Sequence, residues 1–122
     1  MTLQNDYDSP WKDILETWFR EFMEFFFPDV AADIDWTRNY EFLDKEFQQI
    51  IREAEQGRKL ADKLVKVWKL DGKEVWVLIH VEIQGAREVI FAKRMYIYNY
   101  RIFDRFDRPV VSVTLLTDSH EQ

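Results

Sequence analysis

Two apolar segments joined by a short turn constrain this fold more than any other feature of the sequence. Residues 60–68 are rich in Val and Leu, and residues 74–84 contain the run Val-Trp-Val-Leu-Ile-His-Val. Leu70-Asp71-Gly72 lies between them. Asp and Gly favour tight turns, and β-branched and aromatic residues favour strands, so the pattern predicts a β-hairpin.

The length of the turn decides which side chains share a face of this hairpin. A two-residue turn places Asp62 opposite Val81, on the face away from Glu82. A three-residue turn places Asp62 opposite His80 and diagonal to Glu82, all on one face. Gly72 then occupies the left-handed third position that such a turn favours. We favour the three-residue turn, because it gathers the polar groups instead of scattering them over two apolar faces.

On that register Asp62 and Glu82 form a candidate site for a hard cation, Mg²⁺ or Mn²⁺, with the backbone carbonyl of Ile83 as a further ligand. Such an ion lowers the pKa of a bound water and stabilises charge on a phosphate. The structural alternative is that Asp62 pairs with Lys63 or Lys66 and that Glu82 lies at the sheet edge. Spacing alone leaves both open.

His80 lies on the same face as these acids, as a candidate accessory residue. A lone His in a strand is more often a hydrogen-bonded structural residue than a base or a ligand. With 2 His and no Cys in the chain, a zinc site and a nucleophilic triad are both disfavoured. The sequence also lacks the Gly-rich phosphate loops and the G-x-S-x-G and H-E-x-x-H motifs.

The spacing of apolar residues predicts one helix before the hairpin and another after it. Ser9 as N-cap and Pro10 at the first position predict a helix over 10–27, ended by Pro28. Its stripe of eight apolar residues is expected to be core, with Trp18 and Phe22 largely buried: Trp11, Ile14, Leu15, Trp18, Phe19, Phe22, Met23 and Phe26. A second helix is predicted over about 88–104, with Phe91, Met95, Tyr98 and Ile102 on its inner face.

Two further segments complete the predicted order. Leu43, Phe47 and Ile51 fit one face of a helix and equally one face of a strand, so periodicity leaves residues 41–51 open. Residues 110–116 are almost wholly apolar, which predicts a strand buried on both faces. The fold class is α/β or α+β, with a central sheet flanked by helices.

The length and composition of the chain predict a single domain over residues 1–122. The chain of 14.9 kDa is 47% hydrophobic and 33% charged, which excludes a disordered chain. It has no Cys, no apolar run long enough to span a membrane and no signal-peptide pattern. We therefore expect a cytoplasmic domain with no membrane partner.

The net charge of −6 hides an asymmetry between the two halves. Residues 1–57 carry 14 acids and 5 bases, whereas residues 58–122 carry 12 bases and 9 acids. In the basic half, Lys93, Arg94 and Arg101 lie on the second helix among tyrosines and are candidate phosphate contacts for DNA. The alternatives are a solvated basic face, with Tyr98 packed inward, and a homodimer contact through Tyr96 and Tyr100.

Six short stretches in one order resemble the Rpn-type recombination-promoting nuclease/putative transposase family, within the PD-(D/E)XK nuclease superfamily. They are DSPWK at 8–12, YEFLDKE at 40–46, ADKLV at 61–65, HVEIQG at 80–85, RMYIYNY at 94–100 and RPVVS at 108–112. The resemblance covers nearly the whole chain. No single stretch is specific, but the ordered set is.

This resemblance implies a restriction-endonuclease-like αβββαβ core, in which residues near 41–51 supply the first strand. It makes Asp62 and Glu82 the metal ligands and puts Gln84 where the superfamily usually has Lys, with a role in positioning water or phosphate. Asp8 and Lys12 match the family's opening motif as accessory residues. Family members are often longer, so the chain is a short member or the N-terminal catalytic part of a longer protein.

The function implied is a Mg²⁺-dependent DNA endonuclease that hydrolyses phosphodiesters. The alternative is a non-catalytic binding or interaction module on the same scaffold, in which the acids are structural polar groups. A third interpretation is a subunit of a larger assembly, with the helices as its interface.

Overall fold

A computed structural model describes the backbone of residues 5–54, 61–83 and 88–117, and the side chains of residues 11–51, 63–81, 93 and 95–115. The described chain is an α+β structure in which helices flank a four-stranded mixed sheet of order β1-β2-β3-β4. None of its described helices has the length and apolarity that a membrane span requires.

Three helices precede the sheet where the periodicity predicted one. They are α1 (Asn5–Thr17), α2 (Phe19–Phe26) and α3 (Pro28–Ala32). The first begins before the predicted start at Pro10, and Trp18, with φ −125° and ψ 40°, interrupts the helix between α1 and α2. Helix α2 ends at Phe26 with Phe27 as its C-cap, within one residue of the predicted end, and Pro28 begins α3, where its fixed φ suits the first helical position.

Fewer side chains of these helices are buried than the predicted apolar stripe contains. Leu15, Phe19, Phe22 and Met23 are buried, whereas Trp18 is 55% exposed. The prediction of a buried core residue is therefore confirmed for Phe22 and wrong for Trp18. A stripe of eight apolar residues is wider than the surface that a sheet can cover, so only its central line packs inward.

The open segment 41–51 is mostly helical. Only β1 (Glu41–Phe42) is extended, and α4 (Asp44–Ala54) follows at once. The strand that the family resemblance implied here is thus two residues long. Leu43, Phe47 and Ile50 are buried on one side of the segment, so burial follows the helical spacing of three and four.

The central hairpin matches its predicted register. The strands β2 (Ala61–Trp68) and β3 (Glu74–Ile83) are antiparallel, with Asp62 opposite His80. The turn has three residues: Lys69 N–H donates to the Lys73 carbonyl at 2.8 Å, and Gly72 has φ +89°. A left-handed φ costs Gly little, because it has no Cβ to clash with the backbone.

The chain then crosses over the sheet. Helix α5 (Glu88–Phe106) leads to β4 (Val110–Thr117), which lies parallel to β3. Met95, Tyr98 and Ile102 are buried, as the predicted inner face requires, and Phe91 lies outside the described side chains. The prediction that this last strand is buried on both faces is wrong, because Val111 and Ser112, which belong to opposite faces, are both exposed.

Each face of the sheet has its own hydrophobic cluster. The α1 face is the side where α1–α3 pack on the strand residues Val65, Val67, Val75, Val77, Ile79, Val81 and Val113. The α5 face is the opposite side, where α4 and α5 pack on Leu64, Trp76 and Leu78. His80 continues the α5 face, since strand side chains alternate.

Candidate functional site

The far end of the hairpin brings the predicted site residues onto one face. Asp62 is opposite His80, and Glu82 follows His80 by two residues, so all three belong to the α5 face. Diagonal neighbours of this kind lie roughly 7–8 Å apart. That separation is within the combined reach of an Asp and a Glu side chain.

His80 occupies the centre of this end of the sheet. Asp62 on β2 and Thr114 on β4 are its two neighbours across the strands. Its side chain is fully buried, at 0% exposure. A fully buried imidazole fits the structural role that a lone strand His usually has, and it places a polar ring beside the two acids.

Several predicted site residues lie partly or wholly outside what the structure describes. Gln84 is outside the described residues altogether, and only the backbone is described for Asp8, Asp62, Glu82 and Arg94. Among the described side chains, no group of three or more His, Asp or Glu residues could hold a metal ion. The site is therefore defined by backbone register and strand direction.

Next to Asp62, on the α1 face, stands a residue that the sequence reasoning did not single out as functional. The Lys63 ammonium is 2.7 Å from a Glu16 carboxylate oxygen and 2.9 Å from one of Asp44. Its side chain is only 7% exposed. Lys63 thus ties α1 and the start of α4 to β2.

Burial alone would lower the pKa of Lys63, but its hydrogen bonds to Glu16 and Asp44 outweigh burial and raise the pKa above the usual Lys value. Lys63 is therefore a fixed cation at neutral pH. The signal that could have found it is a lysine in an alternating strand at a position that faces the core.

The structural alternative pairs Asp62 with Lys63 or Lys66, and it stays open because the Asp62 side chain lies outside the description. The contacts of the two lysines with other described side chains are these. Lys63 pairs with Glu16 and Asp44, and Lys66 is 3.3 Å from Glu41.

The accessory residue Lys12 is half-buried and stands one helical turn before Glu16 on α1. It therefore lies on the side of α1 that faces Lys63.

The predicted DNA contacts on α5 are only partly brought together. Lys93 is exposed and Arg101 is half-buried, whereas the Arg94 side chain lies outside the description. Tyr98 is buried, at 1% exposure, so the inward packing named as an alternative holds. Tyr96 and Tyr100 project into solvent, at 71% and 57% exposure.

The pockets described in the structure are open depressions of the surface and lie away from this end of the hairpin. One, of about 240 Å³, opens near the turn and is lined by α3 and the first half of β3, with Ile34, Val75 and Val77 among its walls. Its lining is mainly apolar and contributes nothing to the site of Asp62 and Glu82.

Comparison with known proteins adds no relative. No family model matches the chain, and neither the curated proteins nor the solved structures gave a significant match.

Proposed function

We propose that this chain is a metal-dependent DNA endonuclease domain of the PD-(D/E)XK type, similar to the recombination-promoting nuclease/putative transposase family. The observation that carries the proposal is the three-residue hairpin turn. It fixes the register in which Asp62 and Glu82 share one face, diagonal across β2 and β3. The other turn length would have put them on opposite faces.

The architecture supports this proposal in its second half. An antiparallel hairpin, a helix and a strand parallel to the inner hairpin strand follow one another, as in the last four elements of an αβββαβ core. The departure lies before the hairpin, where β1 has two residues and α4 is inserted. The restriction-endonuclease-like core is accordingly part of the proposal.

The residues present fit a hard divalent cation. Two carboxylates and the Ile83 carbonyl offer only oxygen ligands, which Mg²⁺ and Mn²⁺ prefer. Asp62 and Glu82 would hold the ion, which supplies an acidified water and offsets charge on a phosphate. Gln84 would position the water or the phosphate by hydrogen bonds, without the positive charge that Lys brings.

A non-catalytic binding module is the second candidate function. The observation that favours it is Gln84 itself, because a neutral amide in place of Lys removes a cation that would stabilise transition-state charge. In that function the same face would bind its partner without cleaving it.

Metal-dependent nicking of supercoiled plasmid, compared between the wild type and Glu82→Gln, tests the proposal. The variant keeps nearly the same shape and removes one charge. We expect it to fold as well in EDTA as the wild type, or better, because repulsion between two carboxylates is relieved. It should lose both nicking and the Mn²⁺-dependent rise in Tm. In the wild type, metal at a hundredfold excess over Kd should raise the free energy of unfolding by about 2.7 kcal/mol.

Glu21→Gln is the matched control, because it makes the same change at an exposed position of α2. It should nick and respond to Mn²⁺ like the wild type. An equal metal response in Glu82→Gln and the wild type would exclude Glu82 as a ligand. Metal-dependent stabilisation without nicking would favour the binding module.

A further inference from the structure

We infer that this protein forms a two-fold symmetric homodimer through the outer edge of β4 and the exposed aromatic stripe of α5 (Lys93, Tyr96, Tyr100, Phe103 and Asp104). The inference uses none of the candidate metal ligands, and of the predicted DNA contacts it places only Lys93 in the interface. Four observations on this side of the molecule carry it.

The first observation is the character of β4. Its eight residues, VVSVTLLT, contain no charge, Pro or Gly. In the described part of the sheet, β4 pairs with β3 and with no strand on its other side. Monomeric proteins usually protect a long edge strand with charges, Pro or a bulge, so an edge without them is suited to pairing with another strand.

The direction of the backbone groups fits such pairing. Trp76 N–H donates to the Pro109 carbonyl, so the backbone groups of Pro109 point toward β3. Backbone groups alternate in direction along a strand, which points those of Ser112 and Thr114 away from β3. Two copies of an uncharged strand can pair antiparallel about a two-fold axis without opposing like charges.

The second observation is the surface of α5. Tyr96, Tyr100 and Phe103 are 71%, 57% and 57% exposed. Their spacing of four and three places them along one side of the helix. Three large exposed aromatics in one line are unusual on the surface of a soluble monomer and typical of an interface.

The third observation joins these two surfaces. The Asn99 amide donates to the Ser112 hydroxyl at 2.8 Å and to the Met95 carbonyl at 2.9 Å. Tyr96 and Phe103 stand three residues before and four residues after Asn99, on the same side of α5. The stripe therefore runs along the β4 edge, and both features would enter one interface.

The fourth observation is charge complementarity across the two-fold axis. Lys93 and Asp104 are both exposed and stand at opposite ends of the stripe. Antiparallel pairing of two β4 strands also makes the two α5 helices antiparallel. Lys93 of one copy then meets Asp104 of the other, and Tyr96 meets Tyr100.

The available area agrees with a small dimer. An aromatic side chain offers about 150–250 Å², so at their observed exposures the three aromatics offer roughly 280–460 Å² per copy. The β4 edge adds to this. Stable interfaces bury about 600–1,000 Å² per partner. The stripe alone does not reach this area, whereas the stripe and the β4 edge together can.

Sedimentation equilibrium of the purified chain measures the assembly directly. We expect a mass twice 14.9 kDa at micromolar concentrations. Tyr100→Glu should shift it to the monomer, with at least a tenfold weaker self-association. Phe25→Glu is the matched control, because Phe25 is 77% exposed on α2, and this variant should remain a dimer.

Cysteine cross-linking locates the axis, since the chain has no Cys of its own. Asn99 lies near the centre of the stripe and bonds to Ser112, which puts the axis near Ser112. Ser112→Cys should form an intermolecular disulfide, because a residue on the axis is about 4.5–5.5 Å from its own copy. Val110→Cys and Thr114→Cys should not, because their copies would be roughly 13 Å apart.

Four results would overturn the inference. They are a monomer at all concentrations, a dimer that survives Tyr100→Glu, equal loss of the dimer in Phe25→Glu, and cross-linking that does not peak at residue 112. If the chain is a monomer, a second measurement is whether Tyr100→Glu weakens binding of a single-stranded oligonucleotide. The stripe would then be a base-stacking surface, and the dimer would be excluded.

Discussion

The two faces of the sheet differ in how far their apolar character extends along the strands. On the α1 face, β3 presents Val75, Val77, Ile79 and Val81, and all four are buried in one cluster. On the α5 face, the apolar residues stop at Leu78 and are followed by His80 and Glu82. The α1 face is therefore a continuous core along β3, whereas the α5 face has a core at one end and the polar positions of the proposed site at the other.

Lys63 is the exception on the α1 face. It lies among apolar side chains, but its charge is satisfied by Glu16 and Asp44. Both carboxylates are accessible to water, at 47% and 62% exposure. The Lys63 ammonium therefore lies at the edge of the α1 face, where its partners reach solvent. The contrast between the faces can be tested by substitutions whose effects on stability differ in size.

The largest effect is expected for Phe19→Ala on the α1 face. Phe19 has no exposed surface and contacts the rings of Trp36, Tyr40 and Phe42. Removing a buried Phe side chain costs about 3–5 kcal/mol. Urea unfolding should show this loss, while the Mn²⁺-dependent rise in Tm of the folded variant persists. Loss of the metal response with the fold still intact would contradict the division between the faces.

An intermediate effect is expected for Lys63→Met. A raised pKa means that the two ion pairs stabilise the fold fully below the unfolded Lys pKa, roughly 10.4, and that this is lost as pH rises through the folded value. At pH 7 we expect a loss of about 1 kcal/mol, because Glu16 and Asp44 remain solvated when Lys63 is removed.

Chemical unfolding from pH 7 to pH 11.5 measures this contribution. The stability of the wild type should fall more steeply above pH 10 than that of Lys63→Met. Lys69→Met is the control, since Lys69 is 35% exposed and 3.4 Å from Asp33. Parallel curves for the wild type and Lys63→Met would contradict the assigned role of Lys63.

The smallest effect is expected for Trp18→Ala. This side chain is 55% exposed at the junction of α1 and α2 and belongs to neither hydrophobic cluster. We expect a change within about 0.5 kcal/mol, as for other surface positions. A loss comparable to that of Phe19→Ala in the same urea titration would show that Trp18 is a core residue in solution.

The hairpin was the part of the fold that the sequence could predict down to its register. Turn chemistry at Gly72 and strand alternation are both local, and both favoured the same pairing of Asp62 with His80. Residues 41–51 were not predictable in the same way. Leu43, Phe47 and Ile51 are spaced by four, and this spacing fits a helix and a strand equally.

Tertiary context decided the remaining errors. The apolar sequence of β4 predicts burial on both faces, but it does not show how far the helices will cover each face, and Val111 and Ser112 are exposed. The interruption of the helix at Trp18 likewise has no Pro or Gly beside it, so no residue there marks it in the sequence. At the site, the sequence predicted which residues share a face, whereas the partners of Lys63 come from α1 and α4 and depend on the tertiary fold.

The crossover from β3 through α5 to β4 has a consequence for the order of folding. The hairpin closes over a three-residue turn, whereas parallel pairing of β3 with β4 closes a much longer connection that contains the whole of α5. Contacts between distant residues form more slowly than local ones. Thr114, the neighbour of His80 on β4, should therefore have a lower φ-value than Val65 and Val77 in the hairpin. The candidate site would then be completed in the last step of folding.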